Sequence, residues 1–229
     1  MKTYYEKIQF VKDKTVSYLK KIFRSYGNEL TLKLEDCDLL QNKNNCIESS
    51  TATGFIMEEF IVSKLEDYSR SFDNVNDIRI ERIKDHGTTD TSYDCYAKYQ
   101  DVFFMVNVKI DKGNNNAVSA INALHNDYVL TDEDKEKSFI VLKTKYTFDE
   151  SKKATGRKII IKGVSAYALE EIDFSEGHRQ DHRNWSQKFK SSSGRLQVSK
   201  NFIAHHRLKE DEISYEKTKE FIEKIYNGN

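Results

Sequence analysis

Three polar residues on two neighbouring apolar segments carry side chains that are unusual inside a sheet. Asp94 lies in the segment 93–99, and Asn107 and Lys109 lie in the longer apolar run 102–110. Residues two apart on a strand point to the same face, so Asn107 and Lys109 are predicted to lie side by side. A buried ammonium is costly without a partner, and the Asp94 carboxylate is its natural one. The group is therefore either an ion pair that serves the fold or a site at which these side chains do chemistry.

A glutamate within an earlier helical segment is the next candidate. Glu58 is followed by apolar residues three, four and seven positions later, at Ile61, Val62 and Leu65. These positions share one face of a helix, so Glu58 is predicted to border an apolar stripe. A carboxylate in such a stripe needs a metal ion or a basic partner. The alternative is that Glu58 or its neighbour Glu59 only edges the stripe. Glu58 is the first choice and Glu59 the second.

The spacing of these residues resembles the PD-(D/E)xK nuclease superfamily. In that superfamily an aspartate is followed, across a β-hairpin, by an acidic residue or a variant of it, any residue, and lysine. The resemblance implies that Asp94 and Asn107 ligate Mg²⁺ and that Lys109 orients or activates the attacking water. Tyr93 stands at the proline position of the motif, and Asn107 stands at the second acidic position. An asparagine oxygen can still bind Mg²⁺, although it brings no negative charge.

Nucleases of this superfamily commonly carry a glutamate on the helix that precedes the hairpin. The resemblance therefore implies Glu58 as a further ligand, directly or through water, together with the main-chain carbonyl of Val108. The implied catalytic residues are Asp94, Asn107, Lys109 and Glu58, and the implied Mg²⁺ ligands are Asp94, Asn107, Val108 and Glu58. The order of elements over about residues 50 to 225 also resembles that of SwaI-type restriction enzymes, which cut AT-rich sites.

Two basic segments lie in a chain whose formal net charge is zero. Lysine and arginine outnumber acidic residues strongly in 143–162 and in 178–209, which suits contact with a polyanion. The stretch Gly194–Gln197 resembles a late segment of many type II restriction endonucleases. Arginine can bond guanine edges and glutamine adenine edges, and serine or lysine can hold phosphate. A solvated basic face or a polar surface loop is the alternative. The residues predicted to contact DNA are Lys143, Lys145, Arg157, Lys162, Arg183, Trp185, Gln187, Lys188, Lys190, Ser192, Ser193, Arg195 and Gln197.

The elements that must position these residues follow from apolar periodicity. Helices are predicted over 3–25, 51–68, 117–130, 166–172 and 212–226, and strands over 93–99, 102–110, 138–147 and 158–162. The helix from Ala117 is expected to offer its N-terminus to a phosphate. The order predicts an α/β fold with a mixed central β-sheet flanked by helices, of the PD-(D/E)xK restriction-endonuclease type. We expect a single nuclease domain over 1–229, with the catalytic core at about 50–147.

Composition narrows the class of protein. The chain has no stretch apolar enough to cross a membrane and no apolar signal-peptide core at its N-terminus. Its three scattered cysteines predict reduced thiols rather than a disulfide framework. We expect a cytoplasmic bacterial protein. Histidines at 178, 182, 205 and 206 could suggest zinc, but neither an HExxH motif nor paired cysteines support it.

Together these features predict a Mg²⁺-dependent type II restriction endonuclease that makes site-specific double-strand cuts in DNA. One chain supplies one active site, so cutting both strands of a palindromic target implies a homodimer. The alternatives are a non-catalytic DNA-binding or interaction protein on the same fold, in which Asp94 and Lys109 form only a salt bridge, and a repair-type nuclease. An RNA-directed nuclease ranks lower, because the basic segments contain few aromatic residues for stacking.

Overall fold

The computed structural model of the protein describes most of its 229 residues. The described ranges are 2–32, 50–71, 77–83, 91–113, 116–131, 135–149, 157–177, 179–181 and 193–228. Five α-helices lie in these ranges: α1 (Tyr4–Ser25), α2 (Ser50–Arg70), α3 (Ile121–His125), α4 (Lys200–His205) and α5 (Tyr215–Asn227). Nine strands accompany them: β1 (Glu29–Leu32), β2 (Ile80–Arg82), β3 (Cys95–Tyr99), β4 (Val102–Asp111), β5 (Ala117–Ala120), β6 (Glu136–Asp149), β7 (Arg157–Ala168), β8 (Arg179–Asp181) and β9 (Arg195–Gln197).

Six of the strands form one mixed sheet in the order β1-β7-β6-β4-β3-β2. The central pair β4 and β6 is parallel, and the other neighbours are antiparallel. A smaller sheet has the order β5-β9-β8. The prediction of an α/β fold with a mixed sheet and flanking helices is confirmed.

Helices cover both faces of the large sheet because its central strands are apolar on both sides. Along β4, Val106 and Val108 pack in a core with residues of α1 and α2. Met105, which alternates with them, packs in a second core with residues of α3 and α5. This two-sided burial explains the nearly continuous apolar run that the sequence shows in β4.

Local sequence signals place the helix starts. Thr3 and Glu6 form a reciprocal capping box at the start of α1, in which the Glu6 N–H donates to Thr3 Oγ1 over 3.2 Å. Ser214 caps α5 by a single bond, in which its Oγ accepts the N–H of Lys217 over 3.2 Å. These caps agree with the helices predicted over 3–25 and 212–226. None of the described helices is long and apolar enough to cross a lipid bilayer.

The helix predicted over 117–130 is wrong in its first part. Residues 117–120 form strand β5, which pairs with β9, and α3 begins only at Ile121. The Ile121 N–H donates to the carbonyl of Gly194 over 2.9 Å, so this terminus does not present that donor to a phosphate as predicted. After α3 the chain continues as a π-helix over Asn126–Leu130. The buried Lys137 ammonium supports it by donating to main-chain carbonyls, among them that of Asp127 over 3.1 Å.

Two further predictions need correction. The strand predicted over 158–162 runs from 157 to 168, because β7 pairs with β6 along almost its whole length. The helix predicted over 166–172 is therefore reduced to a single 3-10 turn at Leu169–Glu171. Within the basic segment 178–209, the structure contains the elements β8, β9 and α4.

Candidate active site

The β3–β4 hairpin places Asp94 one residue before β3. Its main-chain N–H donates to the carbonyl of Val106 over 3.0 Å, so the ladder continues past the end of the strand. Its carboxylate Oδ2 accepts the N–H of Val108 over 2.6 Å. The turn of the hairpin is tied to α1 by a 2.5 Å ion pair between Lys7 and Asp101. The hairpin thus fixes the Asp94 carboxylate against the middle of β4.

Helix α2 brings a second carboxyl group to Asp94. Ile61, Val62 and Leu65 are buried in the core beneath the helix. This packing orients Glu58 towards Asp94, just before the start of β3. A side-chain hydrogen bond joins the Glu58 and Asp94 carboxyl groups. Together they border a small cavity of about 20 Å³, which is large enough for one water molecule or ion.

Burial and mutual repulsion change the acidity of this pair. Burial raises the pKa of Glu58 to about 7, the negative charge of Asp94 adds to this rise, and the Lys109 ammonium opposes it. Burial also raises the pKa of Asp94, against the opposing effects of Lys109 and of the hydrogen bond from Val108. Two carboxyl groups in contact cannot both ionise cheaply, so the metal-free pair holds one proton near neutral pH.

Lys109 acts on this pair through its charge. Within the described residues no ion pair of 4.0 Å or less joins it to Asp94, so the simple salt bridge considered from sequence is not formed there. Its ammonium nonetheless lowers the pKa of both carboxyl groups, which places it in their electrostatic neighbourhood. The side chain is half-buried on β4.

Asn107 is buried beside the site, and its carboxamide is held from one side only. Its Nδ2 donates to the main-chain carbonyl of Ser92, which also accepts the hydroxyl of Ser119 over 3.2 Å. No described residue hydrogen-bonds to its buried Oδ1. A buried carbonyl oxygen without a donor is costly, by about 1–3 kcal/mol, and a cation or water would remove that cost. Ser92 was not recognised from sequence, because nothing in its spacing links a main-chain carbonyl to Asn107.

Glu59, the second choice from sequence, has a different environment. Its carboxylate forms a salt bridge with Arg82 of β2, and its side chain is 57% exposed. Consecutive helix residues lie about 100° apart, so only one of two neighbours can follow the buried stripe. The structure brings Glu58, rather than Glu59, into hydrogen-bond contact with Asp94.

The oxygen atoms at this site have the chemistry that Mg²⁺ prefers. The carboxylates of Glu58 and Asp94 line the cavity and would be its side-chain ligands. The buried Oδ1 of Asn107, on the adjoining strand β4, is the further ligand that the resemblance implies. In the part of the chain that the structure describes, no cluster of three or more His, Cys, Asp or Glu side chains is present. An asparagine rather than a third carboxylate stands at position 107.

The residues predicted to contact DNA are distributed over separate parts of the molecule. Lys143 is buried and Lys145 exposed on β6, Lys162 is exposed on β7, and Arg195 and Gln197 alternate with buried Leu196 on β9. Ser193 lies just before β9 and is half-buried. The side chains of Arg157, Arg183, Trp185, Gln187, Lys188, Lys190 and Ser192 lie outside the described residues.

Comparisons with known proteins identify no relative of this chain. A scan against models of known protein families finds no match, and a search of curated proteins finds none.

Proposed function

We propose that the protein is a Mg²⁺-dependent type II restriction endonuclease that hydrolyses phosphodiester bonds at specific sites in double-stranded DNA. One observation carries the proposal: Glu58 from a helix and Asp94 from a hairpin meet at a small cavity under the charge of Lys109. Two carboxyl groups in contact disfavour each other's ionisation, so their contact is costly when both are charged. A cation at this position would remove the repulsion and make the arrangement favourable.

Each residue has a role in phosphodiester hydrolysis. The carboxylates of Glu58 and Asp94 and the Oδ1 of Asn107 hold the cation, and the N–H of Val108 fixes the orientation of Asp94. When bound, Mg²⁺ polarises a phosphoryl oxygen and lowers the pKa of a coordinated water. Lys109 stabilises the negative charge that develops on the phosphate and orients the attacking water. The Val108 carbonyl remains part of this proposal as a further ligand.

The proposal also covers the fold type, the oligomeric state, the cellular location and the segments that recognise DNA. The mixed sheet, together with Glu58 on helix α2, supports the proposal of a restriction-endonuclease-like fold of the PD-(D/E)xK type. Cutting both strands at a palindrome would use two copies of the chain related by two-fold symmetry. Restriction of foreign DNA would place the protein in the bacterial cytoplasm, and the basic segments 143–162 and 178–209 would carry base recognition.

Cleavage of a long duplex DNA tests the proposal directly. Discrete fragments are expected with Mg²⁺ and none with EDTA. Asp94→Asn and Glu58→Gln should each lower the cleavage rate by at least about a hundredfold, since even groups that only orient metal ligands have effects of 10 to 100-fold. Glu59→Gln is the matched control, because Glu59 also borders the cavity but forms its salt bridge with Arg82 rather than a contact with Asp94. Equal losses in Glu58→Gln and Glu59→Gln would contradict the assignment of Glu58.

A non-catalytic DNA-binding protein is the second candidate, favoured by Asn107 at the second acidic position. It predicts DNA binding without cleavage in Mg²⁺ or Mn²⁺, and Asn107→Asp would not produce cleavage. Discrete fragments would exclude this candidate. A smear of fragments would favour a repair-type nuclease over a site-specific one.

A further inference from the structure

A second cavity of about 170 Å³ opens on the sheet face that carries Lys109. Its walls come from the end of β4, the second half of β6, the middle of β7 and the start of α4. The residues that matter are Asp111, Lys143, Lys145, Gly163, Ser165 and Lys200. The sequence predicts DNA contacts for Lys143 and Lys145, but it does not indicate that they lie near Lys200 and β7.

Strand register explains why these residues meet. In the parallel pair β4–β6, Lys143 lies beside Lys109, and Lys145 lies beside Asp111. In the antiparallel pair β6–β7, Ser165 lies opposite Lys143 and Gly163 lies opposite Lys145. Paired residues on neighbouring strands point to the same face of a sheet. The cavity is thus the next step along the sheet from the Lys109 position.

The cavity carries a net positive charge. Three lysines line it with one carboxylate, and that carboxylate is already engaged. Asp111 is 2% exposed, its Oδ1 accepts the N–H of Gly113 over 2.5 Å, and its Oδ2 lies 3.3 Å from the Lys200 ammonium. Two positive charges therefore remain in excess, with the charge of Lys109 adding to them.

Lys143 is the most deeply buried of the three lysines that line the cavity. It is 7% exposed, and its ammonium lies 5.7 Å from the centre of the Tyr167 ring. Burial lowers the pKa of Lys143, as do the charges of Lys200 and Lys109, and only Asp111 acts in the opposite direction. An anion in the cavity would be attracted by the ammonium groups of the lining, and the neighbouring Ser165 hydroxyl could donate to it.

We propose that this cavity binds a phosphate group of the nucleic-acid backbone, separate from the phosphate that is hydrolysed at the Glu58–Asp94 site. The inference rests on the proposed nuclease function for its substrate, and it assigns a second phosphate contact with that substrate to named residues. Productive binding would require a polynucleotide with at least two backbone phosphates. Small phosphodiesters with a single phosphate would lack this contact.

Two variants address the cavity in independent ways. Lys143→Met removes a charge and keeps the length of the side chain. Gly163→Val leaves every charge in place and fills the cavity, because a Cβ at Gly163 meets no other atom within 4 Å and the backbone there needs no positive φ. The control is Lys20→Met, since Lys20 is exposed on α1, which packs on the opposite face of the sheet. Thermal unfolding would verify that each variant is folded.

The diagnostic measurement is the salt dependence of binding to a short duplex in EDTA, where no cleavage occurs. Each phosphate contact contributes about 0.9 to the slope of log K against log salt concentration. Lys143→Met and Gly163→Val should each lower the magnitude of the slope by about one contact, and Lys20→Met should leave it unchanged. Unchanged slopes in both cavity variants would overturn the inference.

Inorganic phosphate alone, titrated by calorimetry, distinguishes a backbone phosphate from a free one. Phosphate binding that Gly163→Val abolishes, together with a changed DNA slope, supports the inference, and so does a changed slope without free-phosphate binding. Phosphate binding with an unchanged DNA slope would overturn it, since the cavity would then take a free anion.

The outcome is also separable from that of the proposed function. DNA cleavage with unaltered slopes in the cavity variants would remove the phosphate site and leave the nuclease. Altered slopes in a protein that never cleaves DNA would leave the site as part of a DNA-binding protein and remove the nuclease.

Discussion

The strongest prediction about stability concerns Glu170, which is fully enclosed between β6, β7 and the π-helix. Its Oε1 accepts the hydroxyl of Tyr128 over 2.7 Å and the N–H of Phe139 over 2.9 Å, and its Oε2 accepts the hydroxyl of Ser138 over 3.0 Å. Burial raises its pKa to about 7, and these hydrogen bonds only partly oppose the rise. The folded state therefore holds a proton that the unfolded chain loses at a lower pH.

The sign of the effect follows from this difference. Because the pKa of Glu170 is higher in the folded state, its contribution to stability is fully present below the unfolded value of 4.5 and is lost as the pH rises to about 7. Each unit of pKa difference corresponds to about 1.4 kcal/mol, so the full loss is about 3 kcal/mol. Between about pH 5 and about pH 8, roughly 2 to 3 kcal/mol of it should be measurable.

Glu170→Gln is the perturbation that isolates this effect. The glutamine Oε1 can keep the bonds from Tyr128 and Phe139, and its Nε2 can donate to Ser138, so the packing is conserved without a titrating group. Urea unfolding of both proteins over this pH range gives the free energy of unfolding. The variant should gain roughly 2 to 3 kcal/mol relative to the unmodified protein as the pH rises.

The adjacent glutamate provides a control of opposite sign. The pKa of Glu171 is lowered although burial acts to raise it, because the Ala168 N–H and the Lys12 ammonium, 2.5 Å away, stabilise the carboxylate. Glu171→Gln should therefore cost most stability at neutral pH, with the difference shrinking as the pH falls below the usual glutamate range. A pH-independent difference between Glu170→Gln and the unmodified protein would refute the reasoning.

Three further predictions concern the site and its surroundings. Asn107→Asp places a third carboxylate beside Asp94, so Mg²⁺ should raise the melting temperature of this variant more than that of the unmodified protein. The control Asn122→Asp, at the exposed position of the otherwise buried helix α3, should show no such gain. Cys95 is fully buried, and burial raises the pKa of its thiol. Iodoacetamide should therefore label Cys95 in urea but not in the folded protein, as peptide mapping by mass spectrometry can show. Labelling of the native protein would contradict this prediction. Tyr4→Phe removes a 2.5 Å hydrogen bond from its hydroxyl to the Lys137 carbonyl and should cost about 1 kcal/mol in urea unfolding, and no loss would show that the bond contributes nothing.

Apolar periodicity was sufficient to predict the long helices and strands of the chain. The helices predicted over 3–25 and 51–68 correspond to α1 and α2, and the strand pair corresponds to β3 and β4. In each case apolar residues recur at the spacing of the element, and α1 also begins with a capping box. The tertiary contacts therefore agree with the local pattern. The α/β class and the mixed sheet followed from the order of these elements.

The choice between Glu58 and Glu59 could not be made from the pattern alone. Both belong to α2 and both border its apolar stripe. The rotation of the helix about its axis is decided by how Ile61, Val62 and Leu65 pack into the core. That packing brings Glu58 to Asp94 and leaves Glu59 to Arg82 of β2.

The sequence by itself determined which segments form long helices and strands, and it brought Asp94, Asn107 and Lys109 to one hairpin. Tertiary structure alone decided the features that depend on distant partners. Ala117–Ala120 became a strand because it pairs with β9, far along the chain. The lysine-lined cavity exists because register aligns β4, β6 and β7 and brings Lys200 onto Asp111. Local periodicity reports which face of an element is apolar, but not which distant side chains that face will meet.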